Sequence, residues 1–333
     1  MFLSKLKSHP KVLFLLFFAF IITAIGWFYF QSNLLKQQGD DLIKYGRAEE
    51  AIELYKKAQR MFPLRLGLSE DIEGAKLILE SNRYYQQISE FQEIPSLEDL
   101  PRVQLNPNEL FVPILMYHNI RINPNSSDAV SAALSVSPAQ FEQQLTYLKS
   151  HNYNTITLDE LSDALDGKVS LPENPVVLTF DDGYRNFYDN AFPLLKKNHM
   201  KAVLFVITDV VGTKAYLTWD QIAEMNISRL IEFGAHTRHH ANLPELPASS
   251  IVDEIVGSKI KLERHLRKQI NWFAYPYGSY NDFIKQTVAD SGFKGAVSTI
   301  YGVAQSKDNI FLSPRIMVDG RFTLDNIARR IAR

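Results

Sequence analysis

Residues 176–183 read Val176-Val177-Leu178-Thr179-Phe180-Asp181-Asp182-Gly183. A short apolar run with β-branched residues at its start is the pattern of a strand buried on both faces. It ends on two acids and a glycine, residue types that favour turns. Alone, such an acid pair is ordinary solvated turn chemistry. It gains weight because the segments on either side repeat the plan. Pro113–Tyr117, Asn154–Ile156, Ala202–Ile207, Ile231–Ala235, Trp272–Tyr275 and Gly295–Val297 also read as strands. Between them, helices are expected from a Ser137 cap to about His151, over Leu158–Leu165, after the acid pair to Asn198, and near 247–266 and 281–291. Repeated strand–helix units make a parallel sheet, open or closed into a barrel. In a barrel the site lies at the carboxyl ends of the strands.

Polar groups cluster at those ends. His236-Thr237-Arg238-His239-His240 follows Ile231–Ala235. On a helical turn, His236 and His240 share a face and can reach one metal ion. His239 then points to solvent or stands behind the ligands. Pro276-Tyr277-Gly278 closes the strand that begins at Trp272, and Met116-Tyr117-His118 closes the first strand. Singly, each has a plain structural reading, such as a proline–glycine turn or a hydrogen-bonded buried histidine. Their shared position at strand ends lets all of them converge on one mouth.

Composition narrows the chemistry. The 333 residues are 46% hydrophobic, enough for a catalytic domain and something smaller. With no cysteine, disulfides, thiolate ligands and an N-terminal lipidated cysteine are excluded, so a metal must use His and carboxylate ligands. A net charge of −1 gives no pointer to nucleic acid.

The N-terminus carries a second signal. Val12–Phe30 is an uncharged run of 19 residues, preceded by Lys5, Lys7 and Lys11 and ending near Trp27 and Tyr29. As a helix it covers about 28 Å, near the thickness of a bilayer core. The expectation is a single-pass inner-membrane anchor with Met1–Lys11 in the cytoplasm and the rest on the periplasmic or extracytoplasmic side. A cleaved signal peptide fits less well, because no small-x-small site follows the run. Residues 34–95 read as helical. Gly39, Gly46, Ala51, Tyr55, Ala58 and Pro63 fall at a spacing that resembles one tetratricopeptide repeat. One repeat cannot bury its own face, so the segment either docks a protein partner or spaces the enzyme from the membrane. The expected division is 1–33 stub and anchor, 34–95 helical segment, 96–110 proline-punctuated linker, and 111–333 catalytic domain.

Taken together, the strand-end motifs resemble the polysaccharide deacetylase family, also called the NodB-homology family or carbohydrate esterase family four. Thr179–Gly183 matches its Thr-Phe-Asp-Asp-Gly motif, His236–His240 its His-(Ser/Thr)-x-x-His motif, and Pro276–Gly278 the core of its third. Pro113–His118 looks like the opening strand of the branch that acts on poly-N-acetylglucosamine. The resemblance covers about residues 110–320 and implies an α/β fold, a distorted (β/α) barrel. It implies that Asp182, His236 and His240 bind a divalent metal, that Asp181 is the base, and that the Tyr277 N–H faces the oxyanion. His118 would be the general acid, since the family's late Leu-x-His motif has no counterpart and no histidine follows His265. The arginine of the third motif is also missing, with Ala274 or its neighbours in its place. Arg315, in Ser313-Pro314-Arg315-Ile316, is the expected substitute. Zinc suits such ligands, with Ni2+, Co2+ or Fe2+ also chemically possible. The implied reaction removes N-acetyl groups from an amino-sugar polymer and releases acetate.

Tyr184, Trp219, Pro276 and Tyr277 are expected to line the sugar cleft, with Tyr280 nearby, while Trp272 reads as core. Two other readings stay open. One is a deacetylase or deformylase of a lipid-linked amino sugar or of peptidoglycan. The other is an inactive glycan-binding scaffold. The sequence does not choose among the glycans.

Overall fold

The computed structural model describes residues 10–44, 47–63, 65, 67–76, 79, 100, 103–123 and 128–332, with the backbone alone for 10–22 and Lys44. The chain divides into two units, Met1–Lys76 and Leu77–Arg333.

The first unit is a helical hairpin. Helix α1 (Pro10–Lys44) packs against α2 (Ala48–Met61), and a further helical stretch covers 68–76. Ser32 meets Ala58 while Asp40, further along α1, meets Tyr55, so the two helices run antiparallel. Gly39 allows their close approach, because a Cβ there would lie 2.6 Å from the Tyr55 ring. Lys36 lies between Asp40 (3.1 Å) and Asp71 (2.5 Å), and the Tyr55 hydroxyl donates to Asp40.

The membrane anchor expected over Val12–Phe30 is corrected here. Among the described residues no helix is long and apolar enough to cross a membrane. From Gln31 onward α1 turns polar and packs on α2. The earlier part of the run, 12–22, lies outside the described side chains. The single-pass inner-membrane placement and the membrane as a partner fall with the span. Residues 80–99, in the expected helical segment and linker, lie outside the described residues, as does Gly46.

Among the described residues the second unit holds twelve strands. They are β1 (Leu110–Phe111), β2 (Ile114–Tyr117), β3 (Asn119–Ile120), β4 (Ser135–Val136), β5 (Asn154–Thr155), β6 (Pro175–Phe180), β7 (Ala202–Val206), β8 (Ile231–Ala235), β9 (Trp272–Ala274), β10 (Gly295–Tyr301), β11 (Ala304–Gln305) and β12 (Ser313–Met317). Seven pair in the order β2-β12-β10-β9-β8-β7-β6, and β2 pairs back onto β6, which closes a parallel barrel. β5 adds to the flank of β6. The helices are α3 (Ala129–Leu134), α4 (Pro138–Ser150), α5 (Leu158–Leu165), α6 (Phe192–Asn198), α7 (Trp219–Ile227), α8 (Ala248–Leu266), α9 (Asp282–Asp290) and α10 (Leu324–Ile331). Ser137 caps α4 in a reciprocal box with Gln140.

Strand alternation sorts the wall into two faces. Leu115, Tyr117, Leu178, Phe180, Leu204, Phe233 and Phe273 pack outward in the larger core, with residues of the surrounding helices. Ile114, Val177, Val203, Phe205, Trp272, Ala274 and Val297 form a second, inner cluster. Continuing that inner series upward by twos leads to His118 after β2, Thr179 on β6 and Asp181 just after it, and His236 after β8.

The helix expected without a break to Asn198 is split. A π-helical turn, Phe187–Ala191, precedes α6. Pro193 has no N–H to continue the i→i−4 ladder across the junction. The Asn186 side chain accepts from the Ile120 N–H and donates to the Asn119 side chain, and the Asn190 side chain donates to the Ile120 carbonyl, just beyond His118.

Candidate active site

Asp181 and Asp182 leave β6 in opposite senses. Asp181 keeps the inward direction and meets Arg315 of β12 in a fork of two bonds, Nη1–Oδ1 2.8 Å and Nη2–Oδ2 2.7 Å. Arg315 is itself buried, and its Nε donates to the Ser298 carbonyl while Nη1 also reaches the Thr179 hydroxyl. Thr179 in turn donates to the Leu115 carbonyl, so β2, β6, β10 and β12 all hold one guanidinium.

Asp182 sits at φ 78 and Gly183 at φ 74, and this left-handed pair swings the Asp182 carboxylate back over the barrel mouth. There its Oδ1 lies 3.3 Å from Nε2 of both His236 and His240, and the two Nε2 atoms are 3.1 Å apart. All three side chains are buried, and one ligand atom from each falls within 4.8 Å of the others. The helical turn expected over 236–240 does not form. The segment is a loop, with Thr237 at φ 63 and His240 at φ 58. Convergence of the two imidazoles comes from this left-handed turn, fixed by a bond from the His240 N–H to the Thr237 hydroxyl.

The donor set fits a divalent cation. Both Asp182 oxygens are buried without a hydrogen bond, a costly arrangement for a carboxylate that has nothing to coordinate. His236 Nδ1 lies 2.8 Å from the Ala274 carbonyl, which fixes the proton on Nδ1 and leaves the Nε2 lone pair aimed inward. Two imidazoles and one carboxylate also leave open positions, as a catalytic metal requires.

Electrostatics keep these groups in ligand form. Burial lowers His240 to about 3, against the pull of Asp182. Burial alone would raise Asp182, but the neighbouring His240, His236 and His118 hold it below the usual carboxylate range. Asp181 is likewise held low, because Arg315 outweighs its burial. In the metal-free protein, below about 6.5 the unfolded chain binds a proton that folded His240 refuses, so stability is full above that pH and falls towards about 3. The two aspartates act in the same direction at lower pH. In the presence of a chelator, Tm is therefore expected to fall between about pH 7 and about pH 4. A flat profile would contradict this.

The remaining site residues divide. His118 is buried among the charges of Asp182, Asp181, Arg315 and His236, and burial lowers its basicity. The Tyr277 ring lies edge-on to His240 at 4.4 Å. Tyr277 follows Pro276 in a tight turn and has φ 62. Gly278 is required next, since a Cβ there would meet Thr299 Oγ1 at 2.0 Å. Tyr184 is buried and stacks on Tyr216 at 5.2 Å. Trp219 stacks on His265, near the far end of α8, at 3.6 Å. Trp272 is fully buried and bonds Asp159. Sequence reasoning missed Thr179 and Ser298, which brace Arg315, the Ala274 carbonyl, and Tyr216, whose hydroxyl is kept protonated by burial and then by the Asp182 charge. Thr179 was visible through its inward register. Tyr216 had no signal.

A closed parallel barrel with a His-His-Asp triad at the carboxyl ends of its strands defines a metal-dependent hydrolase. The polysaccharide deacetylase family model matches residues 168–296. The poly-β-1,6-N-acetyl-D-glucosamine N-deacetylase of Staphylococcus aureus (strain MRSA252) is 31% identical over 246 residues, which are 68% of this chain and 84% of that protein. The Streptococcus pyogenes deacetylase PplD, solved in complex with acetate, superposes with a TM-score of 0.63 at 32% identity, over 68% of this chain and 100% of that one. A Bacillus cereus polysaccharide deacetylase superposes with a TM-score of 0.60 at 30% identity, over 67% and 70%. The chain belongs to the polysaccharide deacetylase family. It is a metal-dependent hydrolase that removes N-acetyl groups and releases acetate. None of these comparisons supports a tetratricopeptide identity for residues 34–95, whose described part is the end of α1, α2 and the helical stretch 68–76.

Proposed function

We propose that residues 111–333 deacetylate an amino-sugar polymer of the poly-N-acetylglucosamine kind, with zinc as the resident ion. The observation that carries this is the buried, unbonded Asp182 carboxylate between two imidazole Nε2 atoms, beside an aspartate forked by an arginine. The substrate class is supported by likeness to the Staphylococcus aureus enzyme. Imidazole and carboxylate ligands favour zinc over calcium or magnesium. When bound, the ion supplies Lewis acidity to the acetamide carbonyl and acidifies water.

The protein groups do the rest. Asp181, held as a carboxylate by Arg315, takes the proton of the attacking water. Arg315 keeps both Asp181 oxygens in fixed directions. The Tyr277 N–H donates to the oxyanion as charge develops. An amide nitrogen leaves only when protonated, and His118 is the donor. Tyr184, Pro276 and Tyr277 form the sugar-facing set, with Tyr184 held by its stack on Tyr216.

The test follows acetate release by the zinc-loaded full chain from poly-N-acetylglucosamine, chitin oligomers, peptidoglycan and a lipid-linked amino sugar. Preference for the first is expected. Preference for another redirects the substrate class, and a chain that takes up no zinc and turns over none of them leaves a glycan-binding scaffold. His118→Ala is expected to lower kcat on the N-acetyl substrate by about 10²–10⁴-fold. It should matter far less for an acetyl ester with a good phenolate leaving group. Equal losses on both substrates would remove His118 as the acid.

A further inference from the structure

The two histidine ligands sit on a loop with two left-handed residues, Thr237 and His240, neither of them glycine. Non-glycine residues in this region persist only where their surroundings impose it. Within the loop the His240 N–H bonds the Thr237 hydroxyl, and contacts from neighbouring elements add to that hold.

One buried side chain is aimed at the loop's backbone. Glu254 lies on α8, 7% exposed. Its Oε2 accepts the backbone N–H of Arg238 (2.9 Å) and of His239 (2.9 Å), and its Oε1 lies 2.6 Å from His239 Nδ1. These are the amides of the two residues immediately before His240. From the other side, the Asp209 N–H donates to the Arg238 carbonyl and the Thr208 N–H to the Thr237 carbonyl. The Arg238 side chain binds Asp209 (Nη2–Oδ2 2.8 Å) and Asp253, and passes over Gly257, where a Cβ would lie 2.7 Å from its Cδ.

We propose that Glu254 is a positioning residue for the metal centre. It touches neither ion nor substrate. By fixing the Arg238 and His239 amides, it sets where the His240 Cα, and hence Nε2, comes to rest against Asp182 and His236. The inference rests on the metal-hydrolase reading of the triad. It adds that ligand geometry at β8 is set from α8, across the loop, by hydrogen bonding to backbone rather than by charge.

Three substitutions separate reach from charge. Glu254→Asp keeps the charge but is one methylene too short for both amides. Glu254→Gln keeps the length and an acceptor but loses the charge. His239→Ala removes the imidazole contact and leaves both backbone bonds. The readout is the zinc Kd of the folded chain, by competition with a chromogenic chelator, alongside kcat and KM. Glu254→Asp is expected to weaken zinc binding by about 10-fold or more, the range seen when partners behind metal ligands are lost. Its KM should stay near wild type while kcat falls. Glu254→Gln and His239→Ala should stay within about three-fold of the wild-type Kd. Wild-type zinc affinity in Glu254→Asp would overturn the proposal, and so would a loss in Glu254→Gln as large as in Glu254→Asp. Loss of fold alone would lower Tm without changing the Kd of the remaining folded protein. A wild-type chain that binds no zinc would instead sink the metal reading itself.

Discussion

Asp182→Asn is expected to abolish the zinc-induced rise in Tm and to cut kcat/KM by on the order of 10³–10⁴-fold, which corresponds to several kcal/mol of transition-state stabilisation lost with the ion. The same substitution is expected to lower the stability of the metal-free protein at neutral pH, because the folded state holds Asp182 below the usual carboxylate range and so favours its ionised form over a neutral side chain. Asparagine is nearly isosteric and tolerates the left-handed region, so the backbone at φ 78 is kept. Binding to the folded state alone adds stability as the ligand saturates, about 2.7 kcal/mol at a hundredfold excess over Kd. Thermal shifts with and without zinc, paired with acetate release, check both halves. A zinc-dependent Tm shift of wild-type size in Asp182→Asn would mean that this carboxylate is not a ligand.

Arg315→Ala is expected to cost about 3–5 kcal/mol of unfolding free energy, the penalty of leaving one member of a buried pair uncompensated. Asp181 would stay buried, without the charge that now holds it ionised. Its pKa should rise, and the alkaline shift would show as an acid limb of kcat/KM moved to higher pH. Arg315→Lys is expected to recover only part of the loss, since an ammonium cannot form the fork to both oxygens. Asp181→Asn, which keeps shape but not basicity, should lower kcat by about 10²–10⁴-fold with zinc binding preserved. Denaturant unfolding, pH–rate profiles and metal content separate these effects. Unchanged activity and metal content in Arg315→Ala would remove Arg315 from the site.

Some features were legible early because they depend on local chemistry. The strand at 175–180 showed in its apolar run, and the α4 start in Ser137, whose hydroxyl and the Gln140 amide satisfy each other's backbone groups. The acid pair and the two histidines were visible as residue types at strand ends. Less visible was the shape of the 236–240 loop. Spacing by four suggested a helical turn, yet the chain makes a left-handed one, held by Glu254 from a helix whose role no local pattern announces. The helix Trp219–Ile227 was missed, although Thr218 and Gln221 form the same reciprocal cap that marks α4. The N-terminal run misled in the other direction. Its hydrophobicity suggested a membrane span, whereas the described part of α1 turns polar and packs against α2.

By itself, the order of residues determined the repeating strand–helix plan and the inventory of metal-binding groups, because alternation, capping and the absence of cysteine act over a few positions. Tertiary structure decided which groups meet. Arg315 reaches Asp181 from 134 positions away only because β12 lies between β2 and β10 when the barrel closes. Asp182 faces the two imidazoles only because left-handed turns at two strand ends reverse the chain at the same height. Such long-range encounters depend on closure of the whole sheet, and no short window of sequence encodes it.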